Sequence, residues 1–424
     1  MTTSAPHVPL ESIDLSDLEF WSAPLEQRDA AFETLRNERP MAFFAEPDLV
    51  PDFIEVGPGY WAVTRHADII EASRQPEVFC SGRGATSIPD MPDMFLEFFG
   101  SMINMDDPRH ARLRRIVSRG FTPRILKRLE GDVQRAAAGI VDDLIEKGGG
   151  DFVTEVAARL PLRIICDMMG IPESQHDLVF TRSNVILSMG DPEYIPEGAD
   201  IGAALLGAGQ DLAMLVQDLG RMRREQPTDD VTSALVNADV EGERLDDAEL
   251  GSFFILLVVA GNETTRNAIS HGLKLITDHP DQRAAWLSDI EAVTPTAVEE
   301  IVRYATPVIW MRRSATRDTS LGGEKISAGD KLLLFYNSAN RDAAVFDDPN
   351  RFDVRRDPNP HVGFGGPGPH FCLGAHLARR EISVMFRELL SRVPDLTATG
   401  EPERLRSSFI NGIKHLPCET GRPG

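Results

Sequence analysis

The stretch that most constrains this chain is 361–381, HVGFGGPGPHFCLGAHLARRE, in which six of the seven residues 363–369 are Gly or Pro. Such a run excludes a helix or a central strand, because glycine costs backbone entropy and proline lacks the donor N–H. Helical character begins beyond Cys372, with Leu373, Ala375, Leu377, Ala378, Arg379, Arg380, Glu381 and Ile382. A glycine loop thus delivers one thiol to a helix N-terminus, where backbone N–H groups and the helix dipole favour the thiolate. Residues without a Cβ let a flat, bulky group lie close to the backbone. A thiolate under a flat group suggests a haem iron with a Cys axial ligand. The plain alternative is a buried structural cysteine beside a Gly-rich turn.

The totals narrow the class. The 424 residues are 42% hydrophobic and 26% charged, an ordinary globular balance. The longest apolar run, Phe253 to Ala260, falls short of the ~18 residues a membrane span needs. The start, MTTSAPHVPLESIDLSD, has neither a basic n-region nor an apolar h-region, so a cytoplasmic protein without signal peptide is expected. Four widely and irregularly spaced cysteines give neither a disulfide framework nor a CxxC metal site. A net charge of −22 argues against nucleic acid or an anionic membrane as main partner.

Along the chain, residues 1–20 are polar and expected to be loosely ordered. Helices are expected over 29–39, 67–73, 127–147 and 153–170, and strands over 59–64, 318–325 and 331–336. The segment 87–105 reads as irregular and is rich in Met and Phe, including Met91, Met94, Phe95, Phe98 and Ile103. It is either a core plug or an adaptable lining for an apolar ligand, since Met repacks easily. The apolar run NVILSM (184–189) contains Val185 and Leu187, and small residues fill 198–209. The latter is a weakly packed, gate-like segment or merely a poor helix.

Asp106-Asp107-Pro108 reads as a cap and N1 proline opening a helix, with His110 and Arg114 four apart on one face. Arg112, Arg115, Arg119, Arg124, Lys127 and Arg128 make this the one basic zone of an acidic chain. Leu245-Asp246-Asp247-Ala248-Glu249 is a strong helix start, and the pattern runs to about residue 276. That is roughly 30 residues and about 45 Å. Apolar residues on every face of FFILLVVAG, among them Leu256, Val259 and Ala260, mark a buried helix. Gly261, Glu263 and Thr264 follow in its middle, and a Thr264 bond to the Ala260 carbonyl would bend or open it. Glu300 and Arg303 stand at i, i+3, a commonplace surface spacing.

Together these segments resemble the cytochrome P450 family in order and spacing over nearly the whole chain. Cys372 falls on the family's iron-ligand position. The usual aromatic seven before the Cys is displaced by one, since Gly365 stands there and Phe364 eight before. The form F-G-G-x-G-x-H-F-C-L-G is similar to that of mycobacterial-type members. The resemblance implies a mainly α fold with a minor β region in one domain over 1–424, with haem b between the long central helix and the Cys loop. Phe364, Gly366 and Gly374 would line the haem.

His110 and Arg114 resemble haem-propionate ligands, as do Arg313 (better aligned than Arg312) and His370. Glu263 and Thr264 resemble the acid–alcohol pair that delivers protons to dioxygen, with Gly261 keeping the helix thin beside it. Glu300 and Arg303 match the family's buried E-x-x-R pair, completed by Arg351 or Arg356. The resemblance tips 87–105 toward substrate lining and adds Val185, Leu187, Leu256, Val259, Ala260, Val308, Ile309, Trp310, Phe409 and Ile410 to the pocket.

The implied function is a monooxygenase inserting one oxygen atom of O2 into a C–H bond. AGNETTRNAISHG, PLRIICDMMGIP, TAVEEIVRY and PERLRSSFINGIKH resemble hydroxylases of methyl-branched lipids. Terminal hydroxylation of a branched isoprenoid or fatty chain is therefore expected, with a sterol side chain as alternative. With no flavin or iron–sulfur segment, the chain would need a small acidic ferredoxin and its NAD(P)H reductase, docking on the 112–128 zone. Two other classes remain: a haem-binding sensor, which would not need Glu263-Thr264, and a metal site of His370, Cys372 and His376, which lacks a fourth ligand.

Overall fold

The computed structural model describes residues 7–47, 55–118, 123–188, 191–196, 198–239 and 242–421. Its principal helices are α1 (Leu25–Glu38), α2 (His66–Ser73), α3 (Asp93–Gly100), α4 (Arg109–Val117), α5 (Pro123–Lys147), α6 (Arg159–Met169), α7 (His176–Ser188), α8 (Ile201–Glu225), α9 (Asp247–Asp278), α10 (Ile290–Ala305) and α11 (Ala375–Arg392). Shorter helices lie between them. The strands β1 (Met41–Phe44), β2 (Tyr60–Val63), β3 (Phe79–Cys80), β4 (Trp310–Ala315) and β5 (Lys331–Phe335) form one sheet in the order β1-β2-β5-β4-β3. β2 and β5 run parallel, with Tyr60 opposite Lys331, and the other pairs are antiparallel.

The long helix is started by chemistry written in the sequence. The Asp246 side chain accepts from Glu249 N at 2.7 Å while the Glu249 side chain accepts from Asp246 N at 3.2 Å, a reciprocal capping box. The 32 residues of α9 span about 48 Å, and α3, α6, α8, α10 and α11 all pack on it. In its middle, Leu256, Leu257, Ala260, Gly261 and Thr264 form an incompletely covered stripe, with the i, i+4, i+8 spacing of a single helical face. Around the sheet, strand alternation divides β5: Leu333 and Phe335 join Trp21, Phe32 and Tyr60, whereas Leu332 and Leu334 join Ile69, Phe79 and Tyr336.

Several expectations change. Residues 7–20 are anchored, because Ile13 and Leu15 are buried against Trp21. Segment 87–105 is not irregular: its Phe and Met residues make α3 and a 3-10 turn, Ser101–Asn104. Pro108 sits at the N-cap position of α4 rather than inside its first turn. The expected helix over 153–170 divides into a π-helical turn, Val153–Ala157, and α6. Residues 198–209 include the start of α8, so small side chains here did not prevent a helix. The segment expected as one strand over 318–325 is a hairpin, Thr319–Leu321 with Glu324–Ile326, turned by Gly322 and Gly323 at positive φ. α9 continues through 260–265 without a break, although Thr264 does bond back to Ala260 O at 2.8 Å.

Candidate functional site

The stripe of α9 and the glycine loop face each other across a cavity. Its walls include Ile103, Leu256, Ala260, Gly261, Thr264, Val308, Arg313, Phe364, His370, Cys372 and Gly374, with His110 and Arg114 from α4. Cys372 is presented by a backbone bond from its N–H to Phe364 O, 3.0 Å, three residues before α11 begins at Ala375. The thiol is open to the cavity but deep in the protein. Burial pushes its pKa up, while the Gly374 N–H and the charges of Arg114 and Arg379 pull the other way. The expected thiolate preference at the helix start is therefore outweighed by desolvation, and ionisation here needs a metal partner.

Beside the thiol stand four basic groups. The rings of His110 and His370 lie 4.2 Å apart, and Arg114 donates to Phe371 O at 2.7 Å. Arg313 donates to Arg312 O at 2.8 Å. His370 is driven down to about 3, by burial first and then by the charges of Arg313, His110 and Arg114. His110 is also lowered, mainly by burial, and its Nε2 is buried with no hydrogen-bond partner. The two guanidiniums of Arg114 and Arg313 in this cluster suit a dianionic group. A Cβ on Gly374 would meet nothing within 4 Å, leaving room for a flat group over the thiol. The residues thus fit a haem: thiolate below, basic groups for its carboxylates at the edge.

The neighbouring arginines separate cleanly. Arg312 points away, toward the carbonyls of Ser87 (3.2 Å) and Ile88 (3.1 Å) and the Asp90 carboxylate, because adjacent strand residues face opposite sides. The E-x-x-R pair is fully buried, with Arg303 Nε and Nη2 each 2.7 Å from Glu300. Arg356 supplies the third member at 3.2 Å, while Arg351 contributes only its carbonyl to Arg303. His361 and Arg379 hold Glu299 nearby, keeping its carboxyl down at about 2.

Glu263 is buried off the cavity wall. It is paired with Arg266 and accepts from Asn267 Nδ2 at 2.8 Å. Its Oε2 meets Arg266 as an ion pair and makes no hydrogen bond. Arg266 in turn reaches Asn184 of α7 at 3.1 Å. At Gly261 a Cβ would meet Ile165 Cδ1 at 2.9 Å, so the missing side chain lets α6 approach α9.

Other expectations are not met. Gly366 faces away from the cavity, where a Cβ would clash with Ser73 Oγ; its absence seats the loop on α2. Met91, Phe95, Phe98, Val185, Leu187 and Val259 are off the wall, and Met94 is 75% exposed. The ring of Phe98 instead presses on Gly209 of α8, because the apolar face of α3 is used for helix packing. Ile309, Trp310, Phe409 and Ile410 also lie behind the wall: Ile309 N bonds Phe409 O at 2.8 Å, Val308 bridges Ile410, and Trp310 packs on Phe409.

Met102, Phe253, Leu257 and Met311 line the cavity instead. Met102 belongs to the Met- and Phe-rich 87–105 segment read as lining, helical spacing from Leu256 and Ala260 would have found Phe253 and Leu257, and Met311 shares a strand face with Arg313. In the basic zone, Arg112 is taken by Glu249 at 2.6 Å, and Arg112 and Arg115 both approach Glu243 at 3.5 Å. Arg119 and the side chains of Arg124, Lys127 and Arg128 lie outside the described residues. Among the described residues no three His, Cys, Asp or Glu side chains form a metal-holding cluster, so His370, Cys372 and His376 are not one. Nor is any described helix long and apolar enough to cross a membrane.

Known proteins agree with this geometry. Residues 210–394 match the family described as Cytochrome P450. The chain is 50% identical to a methyl-branched lipid omega-hydroxylase of Mycobacterium tuberculosis, over 98% of this chain and 96% of that protein. It is 41% identical to a steroid C26-monooxygenase of Mycolicibacterium smegmatis, over 97% and 94%. A solved Mycobacterium marinum cytochrome P450 in complex with pseudoionone superposes with TM-score 0.91 at 46% identity, covering 99% of this chain and 100% of that one. Family members use a haem iron and draw electrons from a redox partner. With identity of this extent behind the thiol loop and the opposed helix, the chain belongs to the cytochrome P450 family of monooxygenases.

Proposed function

We propose that this enzyme, with haem b, hydroxylates the terminal methyl of a methyl-branched apolar lipid, isoprenoid or fatty acyl. The observation that carries the reading is the wall around Thr264. Met102, Ile103, Phe253, Leu256, Leu257, Val308 and Met311 are all apolar, while the basic groups gather with His110 and His370. The only carboxyl on the wall among the described residues, Glu381, is pushed up to about 8 by burial and so is mainly neutral at pH 7. Such a lining rewards apolar burial at roughly 25 cal/mol per Å² and offers a charged head no partner there.

When bound, the haem supplies activation of dioxygen and transfer of one oxygen atom to a C–H bond. In this reading Cys372 would ligate the iron, and Arg114 and Arg313 would pair with the haem carboxylates. His110, whose Nδ1 faces Asp107, and His370 would flank the same carboxylates, each donating to them only on taking up a second proton. Phe364 and Gly374 bound its face. The Thr264 hydroxyl donates to Ala260 O and keeps its lone pairs for a water donor. Glu263 moves protons toward Thr264 by exchanging its Arg266 contact for water. A small acidic ferredoxin with an NAD(P)H reductase supplies electrons.

The test is a titration of the haem-loaded protein with methyl-branched fatty acids, isoprenoids and a sterol, following the spin-state change and then the position of the hydroxyl. Branched chains should bind and be hydroxylated at the terminal carbon. Response to the sterol alone transfers the assignment to the sterol side chain, and response only to a polar polyketide refutes both.

A further inference from the structure

A second cavity, of about 380 Å³, lies between the N-terminal turns of α1, the C-terminal half of α9 and the end of α10. It shares no lining residue with the haem cavity. One water needs only ~10–15 Å³, so this space takes a polyatomic guest.

The walls carry Arg28, Arg341, Arg404 and Lys274 together with His271. Arg28 and Arg341 are each only 6% exposed. Arg28 Nε and Arg404 Nη1 are buried with no hydrogen-bond partner, whereas Arg341 meets Asp29 through Nε and donates from Nη2 to Tyr304 O at 3.1 Å. Arg28 is pushed down to about 10, by burial and then by the charge of Arg404. His271, whose Nε2 meets Asn411 O at 3.0 Å, is driven to about 3 by burial and then by Arg404, Arg28 and Arg341.

The acids of the lining are otherwise engaged. Lys274 holds Asp278 at 2.6 Å and Glu401 at 3.4 Å. Asp29 stands 3.4 Å from Arg341, and Glu26 is exposed. Arg28 and Arg404 thus converge without a carboxylate in contact, in a chain of net charge −22. A buried guanidinium with unmade bonds is costly, and an oxyanion is the partner its planar donors fit. Asn337 Oδ1, an acceptor also without a partner here, suits a protonated oxygen or a water.

We propose that this cavity is a binding site for a small multivalent oxyanion, of phosphate or carboxylate type, held by Arg28, Arg341 and Arg404. Calorimetry on the haem-loaded enzyme with inorganic phosphate, pyrophosphate and citrate, at ionic strength matched with chloride, tests it. One saturable site per chain is expected. Arg404→Gln, on the less buried of the three, and Arg28→Lys should each weaken it by about tenfold or more, with an unchanged haem spectrum certifying the fold. Preference for phosphate and pyrophosphate over citrate names a phosphoryl ligand; the reverse names a carboxylate. The proposal falls if none of the three anions saturates, or if binding persists unaltered in Arg404→Gln.

Discussion

Replacing Glu300 by Gln isolates the energetic role of the buried pair. Glu300 is completely buried and accepts from Arg303 twice at 2.7 Å, from Arg356 at 3.2 Å, from Asp353 N at 2.9 Å and from Asn359 at 3.1 Å. The amide keeps the volume but removes the charge and turns an N–H₂ toward guanidinium donors. Breaking a buried pair from one side costs about 3–5 kcal/mol, most of it the stranded partner. Arg303 would keep the carbonyls of Asn340 and Pro349, both at 2.8 Å, and of Arg351. The expected loss is therefore near the lower end, about 3 kcal/mol, a large part of an ordinary 5–15 kcal/mol stability. With an unfolding entropy of roughly 0.9 kcal/mol/K for a chain of this length, that is a fall in Tm of about 3–4 °C. Urea unfolding of haem-loaded wild type and variant, followed by intrinsic fluorescence, measures it. A variant within about 0.5 kcal/mol of wild type would refute the claim that this carboxylate compensates Arg303.

Thr264→Ala should leave haem binding intact but uncouple NAD(P)H consumption from product, with Thr264→Ser restoring coupling; unchanged stoichiometry removes the hydroxyl from proton delivery. Gly374→Ala, whose Cβ meets nothing in the protein, should leave fold stability within about 0.5 kcal/mol yet reduce haem occupancy. Gly366→Ala should instead destabilise the loop by about 1–3 kcal/mol through Ser73. Glu381 is held at about 8, against 4.5 in the unfolded chain. The folded state keeps its proton longer, so this stabilisation is complete below pH 4.5 and is lost as pH rises through 8. Glu381→Gln should therefore lose less stability than wild type between pH 5 and pH 9, by a few kcal/mol; parallel pH profiles would contradict this.

The parts of the site legible from the chain are those whose chemistry is local. A glycine loop ending in a thiol, a capping box, an A-G-x-E-T run and an E-x-x-R spacing each need only a few consecutive residues. The order of those segments also carries the family, because spacing along the chain mirrors the separation of elements in the fold. What required tertiary structure was direction and partnership. Arg312 and Arg313 are chemically identical neighbours, and only the pairing of β4 with β5 decides which faces the cavity. Arg356 reaches Glu300 and Arg351 does not, because the loop after residue 347 returns one side chain and the other's carbonyl. Met94 and Phe98 have the composition of a lining, but α3 turns Phe98 toward Gly209 and Met94 to solvent. The basic zone looks free in one dimension, yet Glu243 and Glu249 arrive from far along the chain to neutralise Arg112. Burial, ion pairing and the face a side chain presents depend on distant residues, and local pattern does not encode them.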